Sequence, residues 1–224
     1  MNGYSLAIHD SLGRFPLFQG MSKRELTEIV GQTRFDFSRH GAGSTIATEG
    51  SPCESLLFLL NGTITLCRHS DDYSCIVEEH LPAPSLFFVP HLFGLQRRHG
   101  GTYIARDRCE TLAIAKEEVL HLIDRYDIFR INLLNFLSTR VQRLLHRPFR
   151  PYPHNLREKI CRYLSDRCVH PGGEKDFRVK MEQIAMEIGE SRLNVSHELH
   201  AMERDGLLAL GRSLVHVNAM EKMF

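Results

Sequence analysis

Long apolar runs are missing from this chain. None reaches the eighteen consecutive apolar residues that a membrane-crossing helix needs, so no membrane partner is expected. The opening segment MNGYSLAIHDSLGRF also lacks the basic start and apolar core of a secretory signal, and the expected location is cytoplasmic. No CxxC pair occurs. The six cysteines, Cys53, Cys67, Cys75, Cys109, Cys161 and Cys168, are then expected to be reduced and partly buried, as is usual in a cytosolic protein. Charge of one sign is lacking too. With 28 Lys and Arg against 27 Asp and Glu the net charge is +1, so any positive footprint for a polyanion has to be local. One such place is visible, because no acidic residue lies between Ile128 and Leu156 while Arg140, Arg143, Arg147 and Arg150 gather near His146. That stretch reads either as a solvated helix end or as a contact to DNA or to another domain. The length of 224 residues exceeds the usual single-domain size, and a 42% hydrophobic content can fill two cores.

What is present is clearest in MEQIAMEIGESRLNVSHELH, residues 181 to 200. Its small, apolar and glycine positions fall where two helices crossing through a tight turn require them. Ala185 permits close approach, Gly189 supplies a left-handed turn residue, and Ile184, Ile188, Val195 and Leu199 form a shared apolar face. Ser191 is the expected N-cap of the second helix. Ser191, Arg192, Leu193, Asn194, Ser196, His197 and His200 are then the candidates for contact with the major groove of double-stranded DNA. Downstream, LLALGRSLVHV holds two short alternating runs around Gly211, Arg212 and Ser213, the pattern of a β-hairpin wing, and Arg212 joins the DNA-binding candidates. Upstream, Leu156, Ile160, Cys161 and Leu164 recur at helical spacing, and PGGEKDFRV follows as turn plus strand. Helix, strand, helix, turn, helix and wing make a winged helix-turn-helix over residues 155–224. Some winged helices bind protein instead, so a protein-binding regulator is the rival reading.

Residues 1–115 follow a different pattern. Segments such as SLLFLL, TITLCR, YSCIVEEHL, TYIARD and ETLAIA, separated at close intervals by Gly, Pro and Asp, predict an antiparallel β-roll of jelly-roll, cupin-like type. A short helix precedes it, with Ser22 and Glu25 completing a capping box. A helical run is predicted over 116–147, with Phe129, Leu133 and Phe136 facing the roll. Leu134, Leu137, Val141 and Leu144 on the same run are spaced as a two-stranded coiled-coil seam, which predicts a homodimer. Pro148, Pro151 and Pro153 stop the helix and predict a hinge over 148–154. The fold class is therefore α+β. An enzyme is not expected, because the roll has no HxH pair with a following glutamate, and paired carboxylates, a nucleophile elbow and a phosphate loop are also wanting. No catalytic residue, metal or cofactor is expected.

This order of parts resembles the CRP/FNR family of bacterial transcription regulators. The resemblance rests on PLFQGMSKRELTEIV, on Gly41, Ile46, Glu49, Gly50, Leu59, Leu60 and Gly62 in the roll, and on GESRLNVSHELHAMERDGLL. It implies a roll that senses a small effector, a dimer helix, paired winged helices on a two-fold operator, and RNA polymerase as a further partner. It places the effector pocket at Phe87, Phe88, Val89, Arg97, Arg98, His99, Thr102, Leu144 and Leu145. The departures from the family pattern fall there. The position of the ribose-binding glutamate is Val89, that of the cyclic-phosphate arginine is His99, and the adenine-contacting pair is Leu144 and Leu145. An acceptor and a cation are lost together, so the expected effector is an unknown small molecule other than cyclic AMP. Phe87, Phe88, Val89 and Pro90 either fill the pocket or line an apolar one. No cysteine precedes Cys53, which argues against an iron-sulfur cluster, while a haem sensor using His80, His91 or His99 is the alternative within the family. In the reading helix, Leu193 stands where an acidic reader is common and His197 where an arginine is common.

Overall fold

The computed structural model describes residues 11–223. The leader reading of the opening segment lies largely outside them. The chain forms two compact units. One holds the described residues up to Ile64, with Pro82–Gly100 and Ala105–Arg150, and the other holds Thr65–Leu81, Gly101–Ile104 and the described residues from Pro151 onward.

In the first unit, helix α1 (Lys23–Gln32) starts on the predicted capping box: the Glu25 amide donates to Ser22 Oγ at 3.2 Å and the Ser22 amide to Glu25 Oε2 at 2.8 Å. Strands β1 (Phe35–His40), β2 (Thr45–Ala47), β3 (Ser55–Asn61), β4 (Thr63–His69), β5 (Cys75–Pro82) and β6 (Ser85–Phe87) follow along the chain, with β4 from Thr65 and β5 up to Leu81 belonging to the second unit. A four-residue helix α2 (Val89–Leu92) then precedes β7 (Thr102–Ala105), which belongs to the second unit up to Ile104, and β8 (Cys109–Ala115). One antiparallel sheet runs in the order β1-β8-β3-β6, with Phe35 opposite Ile114 and Leu57 opposite both Ala113 and Phe87. β3 departs from simple alternation. Leu56, Leu57, Phe58 and Leu59 are all buried, because this central strand is covered on both faces. Phe58 meets Phe15 and Phe18 with ring centroids 5.0 and 5.7 Å away, and Phe18 meets Phe129 at 5.3 Å. Each such ring removed from water contributes about 1.5–3 kcal/mol. The β3–β4 turn requires glycine at Gly62, where φ is +91° and a Cβ would lie 2.6 Å from the Arg108 carbonyl oxygen.

The single helical run predicted over 116–147 is two helices, α3 (Lys116–Arg125) and α4 (Asp127–His146). Tyr126 breaks it with extended backbone at φ −121° and ψ 104°. The redirected α4 buries Phe129 and Leu133, and Asn132 Nδ2 donates to the carbonyls of Leu17 and Gln19 at 3.2 and 2.8 Å. Phe136, predicted to face the roll, is only half-buried and lies under the Arg140 guanidinium at 4.9 Å. Past His146 the chain makes one 3-10 turn around Pro148 and then runs without regular structure through Pro151 and Pro153.

The second unit contains α5 (Leu156–Asp166), β9 (Lys175–Val179), α6 (Met181–Ile188), α7 (Arg192–Arg204), β10 (Ala209–Gly211) and β11 (Leu214–Val217). That is the predicted winged helix-turn-helix. Ile160, Leu164, Phe177, Ile184, Val195, Leu199, Met202, Val215 and Val217 form its core. β9 pairs antiparallel with β11 on one side and with β5 on the other, from Cys75 opposite Val179 to Glu79 opposite Lys175. The β5 partnership brings Cys75 and Val77 into the same core.

Candidate nucleic-acid interface

The turn between α6 and α7 is built by three local features. Ala185 is buried at the helix crossing, and Gly189 takes φ +69° and ψ 40°, which closes α6 by letting the Glu190 amide reach the Ala185 carbonyl at 2.9 Å. Ser191 then caps α7, its Oγ accepting from the Asn194 amide at 3.1 Å. Val195, Leu199 and Met202 face inward. The opposite side of α7 presents Ser191, Arg192, Leu193, Asn194, His197 and His200, all exposed, with Ser196 half-buried, and Arg212 is exposed in the β10–β11 turn. All eight candidates are thus at the surface, six of them clustered on the first two turns of one helix.

The electrostatics of this face are local. The positive end of the α7 dipole coincides with Arg192, an arrangement that suits an approaching phosphate. In the free protein the Arg192 Nε is held at 2.7 Å by Glu182 Oε1 of α6, with the two side chains 67% and 61% exposed. Arg192, Glu182, Lys180, Gly211 and Ser213 line a cleft of about 640 Å³ between the start of α6 and the hairpin. Glu198, also on α7, is only 25% exposed. It receives Arg157 Nε of α5 at 2.7 Å, and the same arginine reaches Asp205 at 2.7 Å, so the pair of carboxylates ties α5 to the middle and the C-terminal end of α7. Glu182 as the partner of Arg192 was not foreseen from sequence. Its position ten residues upstream carries no helical-spacing signal, since the intervening turn decides the distance.

The residues predicted for an effector pocket are dispersed in character. Phe87, Phe88, Val89 and Leu92 are buried at 3%, 5%, 1% and 0% exposure, so the apolar side chains are packed inside the first unit. Phe88 adopts φ +73° and sets its ring edge-on to His99 at 4.3 Å. Burial, with His91 nearby, holds the His99 imidazole below its ordinary value. Arg97 and Arg98 are exposed, and Arg98 Nη1 donates to the Gly50 carbonyl at 2.6 Å. Thr102 is half-buried on β7, in the second unit. Leu144 and Leu145 are exposed on α4 at 56% and 66%. Of the seam, Leu134, Val141 and Leu144 are more than half exposed and Leu137 is half-buried, which leaves an apolar stripe on α4 uncovered in the single chain. Among the described residues no helix is long and apolar enough to cross a membrane.

Residues 38–126 match the family model of the cyclic nucleotide-binding domain, and residues 158–223 match that of the Crp-like helix-turn-helix domain. The chain is 24% identical over 187 residues to the cAMP-activated global transcriptional regulator Vfr of Pseudomonas aeruginosa, covering 79% of this chain and 87% of that protein. Its fold is similar to the catabolite activator protein of Thermus thermophilus, with a TM-score of 0.53 at 22% identity over 93% of this chain and 96% of that one. It is also similar to the sensor domain of the transcriptional regulator DNR from Pseudomonas aeruginosa, with a TM-score of 0.55 at 18% identity over 69% of this chain and 99% of that domain.

Proposed function

Given that the chain belongs to the CRP/FNR family of bacterial transcription regulators and carries that family's DNA-binding helix-turn-helix, we propose that it works as a homodimer on a two-fold operator under an effector other than cyclic AMP. The observation that carries the DNA reading is the row Ser191, Arg192, Leu193, Asn194, His197 and His200, exposed on α7 beside the half-buried Ser196, with Arg212 at the wing. Donors on the first turns of a helix match acceptor edges in the major groove, and Arg192 is the side chain suited to guanine. Leu193 and His197 change two reading positions, so the preferred half-site differs from that of relatives with an acidic residue and an arginine there. In this reading residues 1–115 sense, 116–147 dimerise, 148–154 flex and 155–224 bind DNA.

Two observations support the negative part of the proposal. Val89 and His99 stand where the family's ribose acceptor and phosphate cation belong, and Phe87, Phe88 and Leu92 fill space with buried apolar bulk. A ligand shifts an equilibrium only by its differential affinity for two states, and a cyclic nucleotide deprived of both polar contacts has little to offer either. Vfr is described as cAMP-activated. This chain departs from the family pattern at the contacts themselves, Val89 and His99. Selection from random duplexes with the purified full chain, followed by gel shifts, tests the whole reading. A palindromic sequence should be recovered and bound with unchanged affinity in millimolar cyclic AMP or cyclic GMP. Tighter binding with either nucleotide, together with a rise of several degrees in melting temperature, would overturn the effector claim and direct attention to Arg97 and Arg98. Failure to select any duplex would favour a protein-binding regulator.

A further inference from the structure

Glu78, His80 and Asp176 converge on one face of the sheet formed by β5, β9 and β11. Glu78 lies directly opposite Asp176 in the β5–β9 ladder, and Asp176 lies opposite His216 in the β9–β11 ladder, so the three stand in one cross-strand row. His80, two residues beyond Glu78 on β5, points to the same face because side chains alternate along a strand. The ligand atoms of Glu78, His80 and Asp176 all lie within 4.8 Å of one another. Two carboxylates placed directly opposite each other repel, and a cation between them removes that cost.

Each of the three donors is also held from behind. Thr65 Oγ1 lies 3.0 Å from His80 Nδ1, which directs Nε2 toward Asp176 Oδ2 at 2.9 Å. The other oxygen of Asp176 meets His216 Nδ1 at 2.7 Å, and Arg178 Nε donates to Glu78 Oε1 at 3.0 Å. Such outer partners fix the tautomer and orientation of metal ligands. His80 is only 7% exposed, so its aim is set by packing and not by solvent. Histidine and carboxylate together suit a borderline cation, whereas calcium and magnesium favour oxygen alone. Zinc bonds of about 2.0–2.1 Å in a tetrahedron put neighbouring donors roughly 3.4 Å apart, within a small side-chain adjustment of the spacing seen here.

We propose that Glu78, His80 and Asp176 form a binding site for one divalent cation of the zinc class, which clips β5 to β9, with water in the remaining coordination position. Thr65, His216 and Arg178 act as positioning residues. The site stands independently of the operator reading, because none of its members belongs to the exposed face of α7.

The test uses the full chain, stripped with chelator and titrated with zinc chloride by calorimetry, with magnesium chloride in parallel. One zinc per chain, a raised melting temperature and slowed amide exchange over residues 75–80 are expected, with no response to magnesium. Glu78→Gln and Asp176→Asn should weaken binding at least tenfold, Thr65→Ala by about 10–100-fold, and His121→Gln on α3 not at all. Glu78→Gln preserves shape and the contact to Arg178, and circular dichroism confirms that it folds. Zinc binding equal in Glu78→Gln and the parent chain would overturn the proposal, since the ion would then sit elsewhere. So would the absence of binding by the stripped parent chain.

Discussion

Arg192, the first residue of α7, is tied to Glu182 of α6 across 2.7 Å while both side chains remain more than half exposed. A pair so open to water contributes only about 0–1 kcal/mol, so phosphate or guanine can displace the carboxylate at little cost. Arg192→Ala should therefore weaken operator binding by about 1–3 kcal/mol and relax selectivity at one base pair per half-site. Glu182→Gln should act oppositely and tighten binding, because the carboxylate both competes for Arg192 and repels the DNA backbone. Gel shifts with the selected operator and single-base variants measure both. An equal loss on every sequence would assign Arg192 to phosphate.

The uncovered stripe on α4 leads to a second expectation. Asp at both Leu137 and Val141 would place like charges across a two-fold axis in an apolar seam. The dimer should dissociate, and operator binding should collapse, because half-sites about 34 Å apart need two reading helices held together. A dimer persisting in sedimentation velocity would show that the seam lies elsewhere.

Glu79 and Lys175 form a buried ion pair at 3.2 Å, with side-chain exposures of 1% and 0%. The Glu79 carboxylate also accepts the amides of Val169 and His170 at 2.7 and 2.9 Å. Burial alone would raise its pKa. Bonding to His170 and the charge of Lys175 outweigh that and lower it to about 2. Lys175→Met strands a buried carboxylate, and chemical denaturation should show a loss of about 3–5 kcal/mol. Glu79→Gln added to it should recover part of that loss, since the neutral amide keeps an acceptor for one backbone N–H. A single mutant as stable as the parent would show that the pair contributes little.

His99 makes a contribution of defined sign to the pH dependence. Its folded-state pKa lies below the ordinary 6.5, through burial first and the nearby His91 second, against a backbone contact to Pro52 that opposes the shift. The unfolded chain then binds the proton more readily, so stability rises with pH across this range and is lost as pH falls below the ordinary value. Through His99 the melting temperature should fall on acidification from about pH 7.5 to about pH 5.5, opposed by His216, whose bond to Asp176 raises its pKa and so favours the folded chain at lower pH. The drop should be smaller in His99→Gln, which cannot titrate. Identical drops in the two proteins would remove His99 from the account.

The sequence by itself determined the features that close over a few residues. The Ser22–Glu25 box, the Ser191 cap and the left-handed Gly189 all form between near neighbours, where side-chain type and spacing settle the hydrogen bond. The helix, turn, helix and wing order follows from those punctuation marks and from apolar periodicity. Local pattern was insufficient at Tyr126, because nothing in the helical spacing distinguishes one long helix from two, and packing of Phe129 and Leu133 in the core of the first unit decides the break. Only the tertiary structure could pair β5 with β9. That pairing makes a buried ion pair of Glu79 and Lys175 and a single row of Glu78, Asp176 and His216, residues far apart in sequence whose meeting depends on strand order and register. A strand's sequence encodes which face is apolar, but the identity of the strand beside it is set by the competition of whole surfaces for burial.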